Sequence, residues 1–231
     1  MNDFFRFPHT PHIAWLGPGT PRGDKLLSSH EVSDLLRTEV VVEEKVDGAN
    51  LGFSVGENGT LCGQNRGTYL DLETPQGQWK PLKRWLATRQ RSLVDALWPD
   101  LVLFGEWCFA VHGVRYTRMP DWFLAFDVYD RTKGEFWSAD RRNELVMRLD
   151  IRPVPELGRG HQTVDSLMKL LVQSQLADGP AEGLYVRKEA SGILKARAKL
   201  VRAEFVQAID EHWSKRPLEE NELADSETSW R

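Results

Sequence analysis

The stretch from Val40 to Val55 constrains the fold more than any other part of the chain. Val40-Val41-Val42 is a β-branched run and reads as a strand leading into Lys45. Asp47-Gly48 is a turn signal. Beyond it, Leu51, Phe53 and Val55 alternate with Gly52 and Ser54, the period of a half-buried second strand. Strand, turn and strand commit this region to sheet and set Lys45 near a strand end beside a turn.

The remaining pattern is mixed. Leu82, Trp85, Leu86, Leu93, Val94 and Leu97 recur at helical spacing and predict a helix over about 80–98 with a basic outer face. Leu101–Phe104 and Phe123–Tyr129 read as strands. Ser138 is placed to cap a helix through Leu149, and Thr163 another through Leu176. Two more strands are expected near Gly183–Lys188 and Ile193–Phe205. Pro and Gly between 7 and 23 predict an ordered but irregular lead-in. The sum is an α+β chain with a strand-rich centre.

Charge is unevenly distributed. The formal net charge is −4, which taken alone disfavours a nucleic-acid partner. Yet residues 210–231 hold seven acids, while 79–92 hold five bases and no acid. Residues 187–202 hold six bases against Glu189 alone. An acidic tail thus hides a locally basic body. No linker divides the chain, so one domain is expected over 1–209, followed by an acidic C-terminal tail over 210–231. Cys62 and Cys108 and the six histidines form no metal-ligand spacing, and a disulfide between the two cysteines stays open. No apolar stretch approaches the roughly 20 residues of a membrane span. The N-terminus lacks a basic segment followed by an apolar one. A cytoplasmic protein is the expectation, with no membrane partner.

Lys45 is a nucleophile only when unprotonated, so burial or nearby cations would have to lower its pKa. Glu44 and Asp47 push the other way. Lys-x-Asp-Gly alone is an ordinary turn. Other short patterns follow in order: Asn65-Arg66-Gly67, Gly105-Glu106-Trp107, Phe126-Asp127-Val128, Glu182–Lys188 and Leu194–Lys199.

Together with Glu44–Asn50, this series resembles the motifs of the covalent nucleotidyltransferases: DNA ligases, RNA ligases and mRNA capping enzymes. The resemblance covers about 40–206. It is nearest the RNA ligases, because Asn50 stands where the other branches usually carry Arg. It implies an α+β nucleotidyltransferase domain with central antiparallel sheets flanked by helices. The residues after Phe205 are too few for the OB-fold of DNA ligases, so none is expected.

The resemblance further implies that Lys45 attacks the α-phosphate of ATP and becomes lysyl-AMP. Glu44, Asp47, Asn50, Arg66, Glu106, Phe126, Lys195 and Lys199 would bind the nucleotide. Arg66 would orient either the nucleotide or a 5′-phosphate end. Glu106 would accept from ribose hydroxyls, a buried ion pair being its alternative. Phe126 would stack on adenine, with Phe123 as the rival. Lys195 and Lys199, with Arg197 in the same parity, would face the phosphates. Glu182 would place Mg²⁺ or Mn²⁺.

The implied activity is ATP-dependent joining of RNA 5′-phosphate and 3′-hydroxyl ends, in the manner of phage-type nick-sealing RNA ligases that repair RNA. Sealing could draw on the basic helix, on the lead-in Phe7–His12, or on a protein partner. A DNA nick ligase, a capping-type transferase and a non-catalytic nucleic-acid-binding module are the alternatives.

Overall fold

The computed structural model describes residues 4–18, 25–171, 173–208 and 217–224. In chain order, α1 (Ser29–Leu36) precedes β1 (Val40–Lys45), β2 (Ala49–Val55) and β3 (Leu61–Gln64). Then come α2 (Leu82–Leu86), α3 (Gln90–Leu97), β4 (Leu101–Trp107), β5 (Phe123–Asp130) and β6 (Glu135–Phe136). α4 (Ala139–Arg148) leads to β7 (Arg152–Pro153) and β8 (Glu156–Gly160). α5 (Val164–Leu170), β9 (Gly183–Ala190), β10 (Ile193–Val201) and α6 (Ala203–Ala208) complete the described elements.

The strands form two sheets. One has the order β10-β9-β1-β8, every neighbour antiparallel. The other has the order β3-β2-β4-β5-β6, also antiparallel, with β7 parallel to β5. β1 and β2 are consecutive in sequence but lie in different sheets. The Val46–Gly48 turn therefore crosses between sheets, and Lys45 stands at the crossing. Segment Pro11–Ile13 of the lead-in lies along the edge of β10, through Lys199 N–H to Pro11 O and Ile13 N–H to Lys199 O, both 2.8 Å.

The larger core lies under the second sheet, where Phe53, Trp85, Trp107 and Phe123 are fully buried. Trp85 stacks on Phe53 at 5.7 Å and donates its indole N–H to Asp121 at 2.9 Å. A smaller core packs α1 and α5 residues, Leu35 and Leu167 among them, on Val42, Leu184 and Leu200 of the first sheet. Each such buried aliphatic side chain contributes roughly 1.5–3 kcal/mol.

Three elements and one side chain differ from expectation. The helix predicted over 80–98 is broken into α2 and α3. Ala87 N–H and Arg89 N–H bond three residues back, to Arg84 O and Leu86 O, tightening the end of α2. Arg89, expected on a basic outer face, is buried; it pairs with Asp121 at 3.3 Å and lies over the Trp85 ring. α5 keeps its Thr163 cap but stops at Leu170, because Ser174 and Gln175 bond the carboxylate of Glu44 instead of continuing a helix. β10 ends at Val201, where Arg202 N–H turns to Glu182 O at 3.0 Å.

Both cysteines are free thiols. Among the described residues no helix is long and apolar enough to cross a membrane. Most of the acidic tail expected over 210–231 lies outside the described residues; its portion 217–224 packs on the loop 108–119.

Candidate active site

Lys45 is assembled into its surroundings by strand register. β1 pairs with β9 so that Lys45 lies opposite Gly183, which brings the preceding Glu182 to the amine. Lys45 Nζ donates to both Glu182 oxygens, at 2.8 and 2.6 Å. A side chain on Gly183 would meet Leu200 O at 2.5 Å, so only glycine allows the β9–β10 approach there. In the other sheet, β2 pairs with β4 so that Asn50 lies opposite Glu106. Glu106 accepts from Gly48 N–H at 3.2 Å, across the turn that follows Lys45. Asp47 is fixed by the loop 108–119: its Oδ2 accepts from Gly113 N–H at 2.5 Å and Val114 N–H at 3.0 Å. Its own N–H donates to Tyr116 Oη at 2.7 Å.

The lysine therefore sits among three carboxylates. Burial lowers the proton affinity of its amine, but Glu182, Glu106 and Asp47 outweigh burial and hold Lys45 above the ordinary lysine value. Burial pushes Glu106 up to about 8 and Glu182 up to about 7, although Lys45 pulls both down. The cluster is over-supplied with negative charge, and each acid resists ionisation in the presence of the others. Arg66 and Lys199 offset part of it, acting on Glu106 and Glu182 respectively.

Apart from Glu182, which is bound to the Lys45 amine, these groups border one cavity of about 340 Å³. Lys45, Asp47, Asn50, Arg66, Glu106, Phe126 and Lys199 all line it. Its far wall is aromatic: the Phe126 ring packs edge-on against Phe7 at 5.1 Å. The rival Phe123 is fully buried against Trp85 and Phe53 and does not reach the cavity. The Phe126 backbone is held from behind, its carbonyl accepting from Arg142 at 2.6 Å and Arg187 at 3.1 Å. Asp127 in turn binds Arg187 and Arg197, each at 2.7 Å.

Strand alternation accounts for what the motif order missed. Glu43 and Lys45 share the cavity-facing side of β1, whereas Glu44 points the other way. The Glu44 carboxylate accepts from Ser174 Oγ at 2.5 Å and Gln175 N–H at 2.9 Å, so these contacts occupy it away from Lys45, although the residue borders the cavity. Glu43 Oε1 pairs with Arg142 at 2.6 Å, while its buried Oε2 accepts no hydrogen bond. Asn50 Oδ1 is likewise buried and without a hydrogen-bond partner. Glu43 Oε2 still has the Arg187 guanidinium 3.7 Å away, so Asn50 Oδ1 is the acceptor left for a ligand's donor to satisfy. Lys195 is the residue that the structure leaves apart. A bulge between Leu194 and Ala196 takes it out of alternation with Arg197 and Lys199; it is exposed and does not line the cavity. Phe7, His9, Thr10 and Tyr185 also line the cavity and lie outside the expected set. Period-two alternation from Lys45 would have found Glu43; the lead-in Phe7–His12 reads from sequence as an aid to sealing, and nothing in the sequence places it beside the lysine.

Two antiparallel sheets bridged by a lysine-bearing turn, with the lysine facing a cavity between them, form a nucleotidyltransferase-type ligase domain. The RNA ligase family model matches residues 38–201, and the chain belongs to that family. Among solved structures, it is similar to a Naegleria gruberi RNA ligase variant with ATP and Mn, at 16% identity and a TM-score of 0.61, over 87% of this chain and 57% of that one. The same organism's RNA ligase with PPi gives 16% and 0.61, over 90% of this chain and 65% of that one. An archaeal ATP-dependent RNA ligase gives 17% and 0.58, over 87% of this chain and 49% of that one. This chain thus spans less than two thirds of these ligases. A search of curated proteins finds no match.

Proposed function

We propose that this chain is an ATP-dependent RNA ligase that works through lysyl-AMP formed on Lys45. The carrying observation is the meeting of Lys45, Glu106, Arg66, Lys199 and Phe126 at one cavity, with Glu182 bound to the Lys45 amine. The unshared Nζ electron pair attacks the α-phosphorus of ATP. An N–P bond forms, the α–β P–O bond breaks, pyrophosphate leaves, and the amine loses its proton. AMP then passes to an RNA 5′-phosphate. Attack by a 3′-hydroxyl forms the phosphodiester and releases AMP. The similar Naegleria RNA ligase, seen with ATP and Mn and with PPi, and the similar archaeal ATP-dependent RNA ligase support this reading.

Each step has residues suited to it. Phe126 and Phe7 offer a ring-sized apolar wall for a base. Glu43 Oε2, ion-paired with Arg187 at 3.7 Å but accepting no hydrogen bond, suits the exocyclic amine of adenine as an acceptor, whereas guanine presents an oxygen there; this favours ATP over GTP. Glu106 and Asn50 suit ribose hydroxyls. Arg66 and Lys199 suit phosphate oxygens. The resting Lys45 is held charged by Glu182, so nucleotide binding has to break that pair and the ammonium has to release a proton to water before attack.

A divalent cation fits the surplus of carboxylates. Glu182, with Asp47 or Glu106, would hold Mg²⁺ or Mn²⁺, which ordinarily takes one or two carboxylates and completes its shell with phosphate oxygens and water. The cation would supply neutralisation of phosphate charge. We assign residues 1–209, together with the segment 217–224 packed on loop 108–119, to one nucleotidyltransferase domain and read RNA with 5′-phosphate and 3′-hydroxyl ends as the substrate.

The test is incubation with α-labelled ATP or GTP and Mg²⁺. Label from ATP retained on the protein and lost in Lys45→Ala is expected, followed by sealing of nicked RNA in preference to nicked DNA. Labelling by GTP alone, or none by either, would overturn the proposal.

A further inference from the structure

The segment 217–224, read from sequence as part of an acidic tail, is knitted into the loop that holds Asp47. Glu219 O accepts from Val111 N–H at 2.8 Å, Asn221 N–H donates to Phe109 O at 2.9 Å, and Glu222 N–H donates to Tyr116 O at 2.9 Å. Met119 N–H donates to Glu222 O, and Ala224 N–H to Met119 O, both at 2.9 Å. Arg115 pairs with Glu219. Asn221 is only 4% exposed. Its amide nitrogen donates to Cys108 O at 2.8 Å and Ala110 O at 3.2 Å, and its amide oxygen accepts from Tyr116 N–H at 2.8 Å. One side chain thereby ties the outgoing end of the loop, just beyond Glu106, to its returning limb.

That limb does not merely cover the fold. Gly113 N–H, Val114 N–H and Tyr116 Oη are the three groups that fix Asp47. Asp47 in turn stands two residues from Lys45 and lines the same cavity. The chain of contact runs Asn221, loop 108–119, Asp47, with no other element between. Resting on the ligase reading, we infer that segment 217–224 is part of the adenylylation site and that Asn221 is a positioning residue, acting on the reaction by holding the loop that orients the Asp47 carboxylate. A surface tail would leave its polar groups to water. Here a buried amide with both donors and its acceptor satisfied is bound to one loop, the arrangement that restricts that loop to one geometry. Losing it leaves Cys108 O, Ala110 O and Tyr116 N–H short of partners and frees the loop to move.

The test is a double-mutant cycle in single-turnover lysyl-AMP formation by the full chain. Asn221→Ala is expected to lower the maximal rate about 10–100-fold, with the half-saturating ATP concentration changed less than about threefold, since misplacing reacting groups acts on the chemical step. In the Asp47→Ala background the same substitution should cost less than about threefold, because the group it positions is gone. Equal losses in both backgrounds, or a wild-type rate in Asn221→Ala, would overturn the inference. Should Asn221→Ala not fold, Asn221→Asp keeps the size and the acceptor for Tyr116 N–H while removing both donors, and the same cycle is run with it. Amide hydrogen exchange gives a readout independent of activity: Gly113 and Val114 should exchange at least about tenfold faster in the Asn221 variant, and unchanged rates would overturn the link. Absence of labelling in the wild type would sink the ligase reading alone, leaving the exchange result to judge the strap.

Discussion

Replacing Glu182 by Gln isolates the contact that holds the Lys45 amine charged. The carboxylate accepts two hydrogen bonds from Nζ, and the side chains are 13% and 27% exposed. Breaking a buried pair by removing one partner costs about 3–5 kcal/mol. Partial exposure and the remaining Glu106 and Asp47 place this pair at the lower end, about 3 kcal/mol. At 1.36 kcal/mol per tenfold change in proton affinity, the free-amine fraction of Lys45 rises about 100-fold. The amine's reactivity can be read without any nucleotide: acylate wild type and variant with isotopically paired anhydride in chelator near pH 8, then map the peptide carrying Lys45. Lys188, paired with Asp34 at 3.0 Å on another face, serves as the internal control. Faster acylation at Lys45 alone is expected. A change below about threefold, or equal acceleration at Lys188, would refute the claim that Glu182 holds the lysine charged. Adenylylation by the same variant should nevertheless fall, since the freed amine has lost the carboxylate assigned to the metal.

Other expectations follow from the same geometry. Glu106 and Glu182, at about 8 and about 7, lie above the ordinary value of 4.5, so the folded protein binds more protons than the unfolded chain between those values. Stability in chelator should then fall as pH rises from about 5 to about 8, and Glu106→Gln should flatten the slope in a thermal melt. Glu43→Gln removes a charged acceptor worth about 1.5–3 kcal/mol; labelling by ATP should drop at least about tenfold, with labelling by the 6-oxopurine analogue ITP affected less. Gly105→Ala would drive a methyl onto the Phe123 ring and to 2.5 Å from Leu124 O, and backbone cannot yield there. A loss of about 1–3 kcal/mol is expected, lowering the melting midpoint by about 2–4 °C per kcal/mol.

Period and turn chemistry in the sequence determine much of this protein. The β1–turn–β2 arrangement around Lys45, the strands β4, β5 and β9, and the Ser138 and Thr163 caps all follow from local signals, because each depends on residues close in sequence. Most of the motif residues do meet at one cavity, as their order suggested. The sequence could not say that β1 and β2 belong to different sheets, since strand partners are chosen by packing at long range. Nor could it predict the bulge that turns Lys195 out of line, or the use of Glu44 to bind Ser174 rather than to face Lys45. The local run of acids marked 210–231 as an acidic tail; only the tertiary structure gives Asn221 its three partners, because burial of an amide depends on what folds over it. The lysine shows the division most clearly. Local sequence supplies the lysine proposed as nucleophile, and the pairing of β1 with β9 and of β2 with β4 surrounds it with the carboxylates that set its charge.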